Sequence, residues 1–137
     1  HMLSKHPGRC RYPHGHTRRI EVVVSSESLD SNEMVMDFKA LKLAVADHIE
    51  RYDHAMAVNT NDPLLPEMKR VHPGSVIEFE NLDPTTEVMA KELYDYVSQV
   101  LANGWSGHSK DGVPYRIEPA MVHLERIRVW ETPTSWA

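Results

Sequence analysis

The sequence predicts an α+β fold, and three observations carry that prediction. A β-branched run with period-two patterning lies early in the chain, two amphipathic helical stretches follow, and a second β-rich run closes it. Strand, two helices, then strands implies an antiparallel sheet with helices layered on one side.

Thr17 to Ser25 reads as the first strand, with Ile20, Val22 and Val24 on its core-facing side. His14 and His16 share their parity, so the histidine pair sits at the upstream end of that same face. Asp37 is placed to cap a helix from Phe38 to Tyr52, whose stripe is Phe38, Leu41, Val45, Ile49 and Tyr52. From Ala55 to Asp83 the prolines at 63, 66 and 73 suggest a long connection, with one short edge strand at Val76 to Phe79. Pro84 fits the first turn of a second helix, with Asp83 as cap and Asn103-Gly104 as stop. Its stripe is Met89, Leu93, Tyr96, Val97 and Val100. Ala120 to Thr132 is the closing β run, with a bulge expected near Glu125-Arg126 where the alternation slips.

At 137 residues the whole chain, 1–137, is expected to form one domain. A net charge of −5 without a concentrated basic footprint argues against a nucleic-acid surface. No apolar run approaches the roughly 18 residues of a bilayer span, and no signal-peptide pattern is present, so a cytoplasmic location is expected. One cysteine cannot form an internal disulfide.

The chemistry concentrates at His14-Gly15-His16. Side chains at i and i+2 of a strand project together, so both imidazoles can converge on one ion, with Gly15 keeping the backbone between them uncluttered. A third imidazole would complete a three-ligand site with an open position, the arrangement of catalytic zinc. Cys10 lies four residues upstream; it is either an inert free thiol or one activated by a neighbouring metal or imidazole. Asp53-His54 can act as a carboxylate-oriented proton relay, or His54 can simply answer the helix dipole. Thr85-Thr86-Glu87 suits capping as well as ligand binding, and Glu131 is either a solvated strand end or a functional carboxylate. Arg18 and Arg19 read as a solvated strand face, with phosphate contact as the alternative. His6 is the best substitute ligand among the remaining histidines.

In order along the chain these motifs resemble the 6-pyruvoyltetrahydropterin synthase and 6-carboxytetrahydropterin synthase family. They are Cys10-xxx-His14-Gly15-His16, Met36-Asp37-Phe38-xx-Leu41-Lys42, Asp53-His54, Pro84-Thr85-Thr86-Glu87 and Glu131-Thr132. The resemblance implies a tunnelling fold (T-fold), an oligomeric barrel with active sites at subunit interfaces, expected as a homohexamer of two trimers. It implies Zn²⁺ held by His1, His14 and His16, with Cys10 as catalytic thiol assisted by Asp53 and His54. Thr85, Thr86, Glu87 and Glu131 would bind a small-molecule pterin, Glu131 anchoring its ring.

Three residues between Cys10 and His14 resemble the carboxy-type enzymes of the queuosine (7-deazaguanine) route. That implies conversion of 7,8-dihydroneopterin triphosphate to 6-carboxy-5,6,7,8-tetrahydropterin with loss of acetaldehyde and triphosphate. Pyruvoyl-type elimination, or a pterin- or metal-binding paralogue without turnover, are the alternatives. The chain departs from the family pattern in its long 59–83 connection, in Arg18 where an aromatic often stands, and in the absence of a first strand before His1. The opening His-Met also matches a tag remnant, and an upstream truncation is expected.

Overall fold

A computed structural model describes residues 1–137. Its elements in chain order are β1 (Arg19–Ser25), α1 (Phe38–Glu50), β2 (Met56–Asn59), α2 (Leu65–Val71), β3 (Val76–Phe79), α3 (Thr86–Asn103), β4 (Trp105–His108), β5 (Pro114–Ile117), β6 (His123–Thr132) and β7 (Ser135–Trp136). A single 3₁₀ turn covers Arg9–Arg11. The α+β class is as expected, with three helices rather than two.

Instead of one antiparallel sheet there are three small ones. The largest has the order β1-β6-β7, and β4 and β5 form an antiparallel hairpin. The third is parallel: β2 pairs with β3 from Met56 opposite Val76 to Asn59 opposite Phe79. Parallel neighbours need a crossover, usually helical, and α2 supplies it inside the stretch that reads as a loop. Pro66 misleads there because it sits in the first turn of α2, where a missing N–H costs nothing.

At the start of α1, Asp37 Oδ1 accepts the Lys39 amide at 2.6 Å, as a cap should. Phe38, expected in the stripe, is exposed, and Ala40, Leu41, Ala44 and Val45 form the buried face. For α3 the cap shifts from the expected Asp83 to Thr85, whose Oγ1 accepts the Val88 amide at 3.3 Å. Gly104, with φ +74°, follows the last turn of α3 as the sequence implies. In β6 two successive exposed residues, Glu125 and Arg126, interrupt the alternation before buried Ile127 and Val129.

Two compact units are woven from interleaved stretches. The first comprises His1–Arg19, Arg51–Ala90 and Val129–Ala137. Its core has two clusters, Met2 with Val58 and Leu65, and Ala57 with Phe79 and Met89. The second comprises Ile20–Glu50 and Lys91–Arg128. Leu41, Val45, Leu93, Val97, Leu101 and Ile127 are buried in it. No helix is long and apolar enough to cross a membrane.

Candidate metal centre

Every group that builds the centre belongs to the first unit. His14, His16 and Arg18 lie at alternate positions of the segment that leads into β1, and all three side chains reach the same space. Gly15 is not needed for room: an added Cβ would meet nothing within 4 Å. His1 reaches the pair from the other end of a chain reversal. Its backbone N donates to His14 O at 2.7 Å, and His14 N donates back to His1 O at 3.0 Å.

The three imidazoles enclose a small space. Ring centroids are 4.5 Å apart for His1 and His14, 5.2 Å for His1 and His16, and 5.1 Å for His14 and His16. Two backbone carbonyls orient the rings. His1 Nδ1 donates to Pro84 O at 2.8 Å and His14 Nδ1 to Tyr12 O at 2.7 Å, which leaves each Nε2 as the lone-pair nitrogen. His14 Nε2 is buried with no hydrogen-bond partner, a costly state that a metal ion relieves.

Glu131, at the end of β6, enters the same space. It is therefore not a solvated strand end. With His1, His14 and His16 it offers four ligand atoms that all lie within 4.8 Å of one another. Glu131 Oε1 is 2.9 Å from His16 Nε2 and 4.0 Å from His1 Nε2. The His16 approach is close in distance but lacks hydrogen-bond alignment, and His16 Nε2 remains without a formal partner. The carboxylate thus stands close enough either to join the histidines on an ion or to meet a ligand beside them. Burial is the main cause that holds the His16 pKa below its ordinary value; Glu131 opposes it, while Arg18 and His14 reinforce it. The neutral form is the one that ligates. The donor set, three imidazoles and one carboxylate, suits zinc.

Thr86 Oγ1 donates to Glu131 Oε2 at 2.5 Å and accepts from Arg18 Nη1 at 2.9 Å. Arg18 is half-buried rather than a solvated strand residue, and its Nη2 lies 3.5 Å from His1 Nε2. Arg19, next along, is exposed, with its guanidinium over the Trp130 ring at 3.7 Å.

Asp83 locks the segment that carries His1. Its carboxylate accepts from Ser4 Oγ, from the Lys5 amide and from Asn59 Nδ2, each at 2.8 Å. Burial opposes its charge, but the bonds from Asn59, Lys5 and Ser4 outweigh it and hold the carboxyl below its ordinary pKa. Met2, packed on Val58 and Leu65, fixes the same segment from its apolar side.

Other expected site residues lie outside this group. Cys10 sits in the 3₁₀ turn, partly buried, and its thiol is not one of the four ligands. Asp53 and His54 pair at 3.0 Å just after α1, with side chains 63% and 93% exposed. Thr85 caps α3, and Glu87 is exposed in its first turn. His6 is exposed, with Nδ1 accepting the Gly8 amide, so it is no substitute ligand. Three contributors escape a reading by residue type: the carbonyls of Pro84 and Tyr12, and the lock at Asp83. Arg18 could have been found, since it shares parity with His14 and His16.

Fold and site together define an α+β protein carrying a candidate mononuclear metal centre of three histidines and a carboxylate. The chain belongs to the 6-pyruvoyl tetrahydropterin synthase family, whose model matches residues 1–137. It is similar to several proteins named 6-carboxy-5,6,7,8-tetrahydropterin synthase. That of Aquifex aeolicus is 34% identical over 98% of this chain and 77% of its own length. That of Rickettsia bellii is 25% identical over 99% and 88%. That of Bacillus subtilis is 30% identical over 94% and 68%.

Proposed function

We propose that this chain is a zinc-dependent 6-carboxy-5,6,7,8-tetrahydropterin synthase. With the uptake of one water molecule, it converts 7,8-dihydroneopterin triphosphate to the carboxy product and releases acetaldehyde and triphosphate. The observation that carries the reading is the convergence of His1, His14 and His16, with the His14 Nε2 lone pair buried and unpartnered, in a chain whose relatives bear that name. When bound, the metal supplies Lewis acidity toward the hydroxyl oxygens of the substrate side chain.

The chain's own residues do the rest. Cys10 moves protons on the side-chain carbons. Asp53 holds the His54 ring at 3.0 Å and orients it for the second proton transfer. Glu131 accepts hydrogen bonds from the ring's amino and NH groups, and Thr85, Thr86 and Glu87 assist in binding the substrate.

The exposure of Asp53 and His54 supports an active site completed between copies of the chain, in a T-fold barrel of six subunits. A strand pair as small as β2-β3 leaves edges that such assembly covers. Cytoplasmic reaction suits Cys10, because thiols stay reduced there. The product links the chain to queuosine biosynthesis.

The pyruvoyl reading is favoured by the description of the family model itself. Incubation of the purified, zinc-loaded protein with 7,8-dihydroneopterin triphosphate separates the readings. Acetaldehyde with a 6-carboxy product is expected. A 6-pyruvoyl product without acetaldehyde selects the alternative, and no conversion at all points to a binding paralogue.

A further inference from the structure

We propose that Arg18 is an oxyanion-binding arm of the metal centre, a specificity residue that grips an anionic group of the bound pterin beside the His1 ligand position. The inference rests on the pterin reading above and adds to it the residue that reads charge on the ligand.

Three features of Arg18 carry it. It is half-buried, and its guanidinium reaches the ligand space, with Nη2 3.5 Å from His1 Nε2. It is anchored: Nη1 donates to Thr86 Oγ1 at 2.9 Å, and Thr86 in turn donates to Glu131. It is also underused. A guanidinium has five N–H donors in a rigid fork. Only one makes a short bond here, and Nη2 stands 3.5 Å from His1 Nε2. A half-buried cation with idle donors, held next to a ligating nitrogen, suits a carboxylate or phosphate oxygen that reaches the centre.

A purely structural role explains less. Clamping Thr86 needs one donor, and a lysine or glutamine would serve. The fork adds a planar, bidentate contact, which a carboxylate or phosphate takes up and a neutral side chain does not. Burial depresses the Arg18 pKa most, and Glu131 and Glu87 act to retain its charge.

Two oxyanions of the proposed reaction share this chemistry: the carboxylate of the product and the triphosphate of the substrate. Equilibrium titration of the zinc-loaded full chain distinguishes them, with 6-carboxypterin, 6-methylpterin and inorganic triphosphate as probes. The expected result is that Arg18→Met weakens 6-carboxypterin by about 10- to 100-fold, the loss of a charged hydrogen-bonded contact. Affinity for 6-methylpterin and zinc content stay at wild-type values. Arg18→Lys, which keeps the charge without the fork, should lie between the two proteins; it provides the same comparison if Arg18→Met fails to fold. A loss confined to triphosphate also supports the arm and assigns it to the phosphate chain. Unchanged affinity for both anions overturns the proposal, as does an equal loss for 6-methylpterin. Failure of the wild-type protein to bind any pterin sinks the functional reading instead, while triphosphate still reports on the arm.

Discussion

His1 and His14 face one another across a reciprocal pair of backbone hydrogen bonds, 2.7 and 3.0 Å long, and their rings stand 4.5 Å apart. The backbone, and not a side-chain contact, brings the two ligands together. Removing one ring should therefore leave the scaffold intact. His14→Ala is expected to lower zinc affinity by more than about 100-fold, beyond the 10- to 100-fold typical of groups that only orient ligands. Elemental analysis and chelator competition measure it, with unchanged circular dichroism as the control. Stoichiometric zinc in His14→Ala would remove this histidine from the centre.

Asp83 gives a prediction about stability. It is buried and accepts three hydrogen bonds, so Asp83→Ala strands the Asn59 amide and frees Ser4 and Lys5. A loss of about 3 kcal/mol at pH 7 is expected, from charged hydrogen bonds and an unsatisfied buried donor. The pH dependence follows from a carboxyl whose folded pKa is depressed. Its contribution is complete above the unfolded value of about 3.9 and fades as pH falls through the lower folded value. Urea melts at pH 7 and at about pH 3 should show the gap between wild type and Asp83→Ala shrinking in acid. A gap of constant size would mean the carboxylate charge is not what stabilises.

How much of this was legible in the sequence depends on whether a residue's own chemistry or its surroundings decided the outcome. His14, His16 and the cap at Asp37 follow from local spacing, and the structure places them accordingly. β3 emerged from alternation alone, at Val76–Phe79 as expected. α2 was hidden because Pro66 is a breaker inside a helix but harmless in its first turn. β2 was hidden because Ala57, Val58 and Asn59 are all buried, so no alternation exists to read. Asp83 looked like a helix cap because helix starts favour aspartate; tertiary partners 78 and 79 residues away claimed it instead. Glu131 was ambiguous by local sequence, and only the fold of β6 shows that it stands among the histidines.

Cys10 is predicted to matter for chemistry and not for the metal. Its thiol is outside the four-ligand group, so Cys10→Ala should keep zinc at wild-type stoichiometry. Turnover should fall by about 10²- to 10⁴-fold, the range of a lost general acid or base. Parallel zinc and product assays test both halves. Normal turnover in Cys10→Ala would sink the thiol mechanism.

Asp53 and His54 invite the opposite control, because so little of the fold rests on them. Both side chains are largely solvent-exposed. Changes there should leave thermal stability within about 0.5 kcal/mol. His54 has φ +52°, a left-handed backbone that asparagine tolerates, so His54→Asn is the cleaner variant. Turnover is expected to drop about 100-fold or more. If catalytic copies complete one another, mixing His54→Asn with Cys10→Ala should restore part of the activity through shared sites. No recovery in mixed oligomers would place the dyad and the thiol on one chain's own site.

Glu131 can serve the ring or the metal, and one substitution separates the two. Its Oε1 lies among the histidine nitrogens while Oε2 is held by Thr86. Glu131→Gln keeps shape and one acceptor but removes the charge. If the carboxylate anchors the pterin, zinc content stays at wild type and affinity for 6-methylpterin falls at least tenfold, because a ring N–H loses its anionic acceptor. If it is a fourth ligand, zinc affinity falls and pterin affinity follows the metal, recovering when zinc is raised to saturation. The proposed function expects the first pattern. Titrating 6-methylpterin into Glu131→Gln at saturating zinc decides it: full recovery of pterin affinity would make Glu131 a metal ligand and leave the ring anchor to another residue.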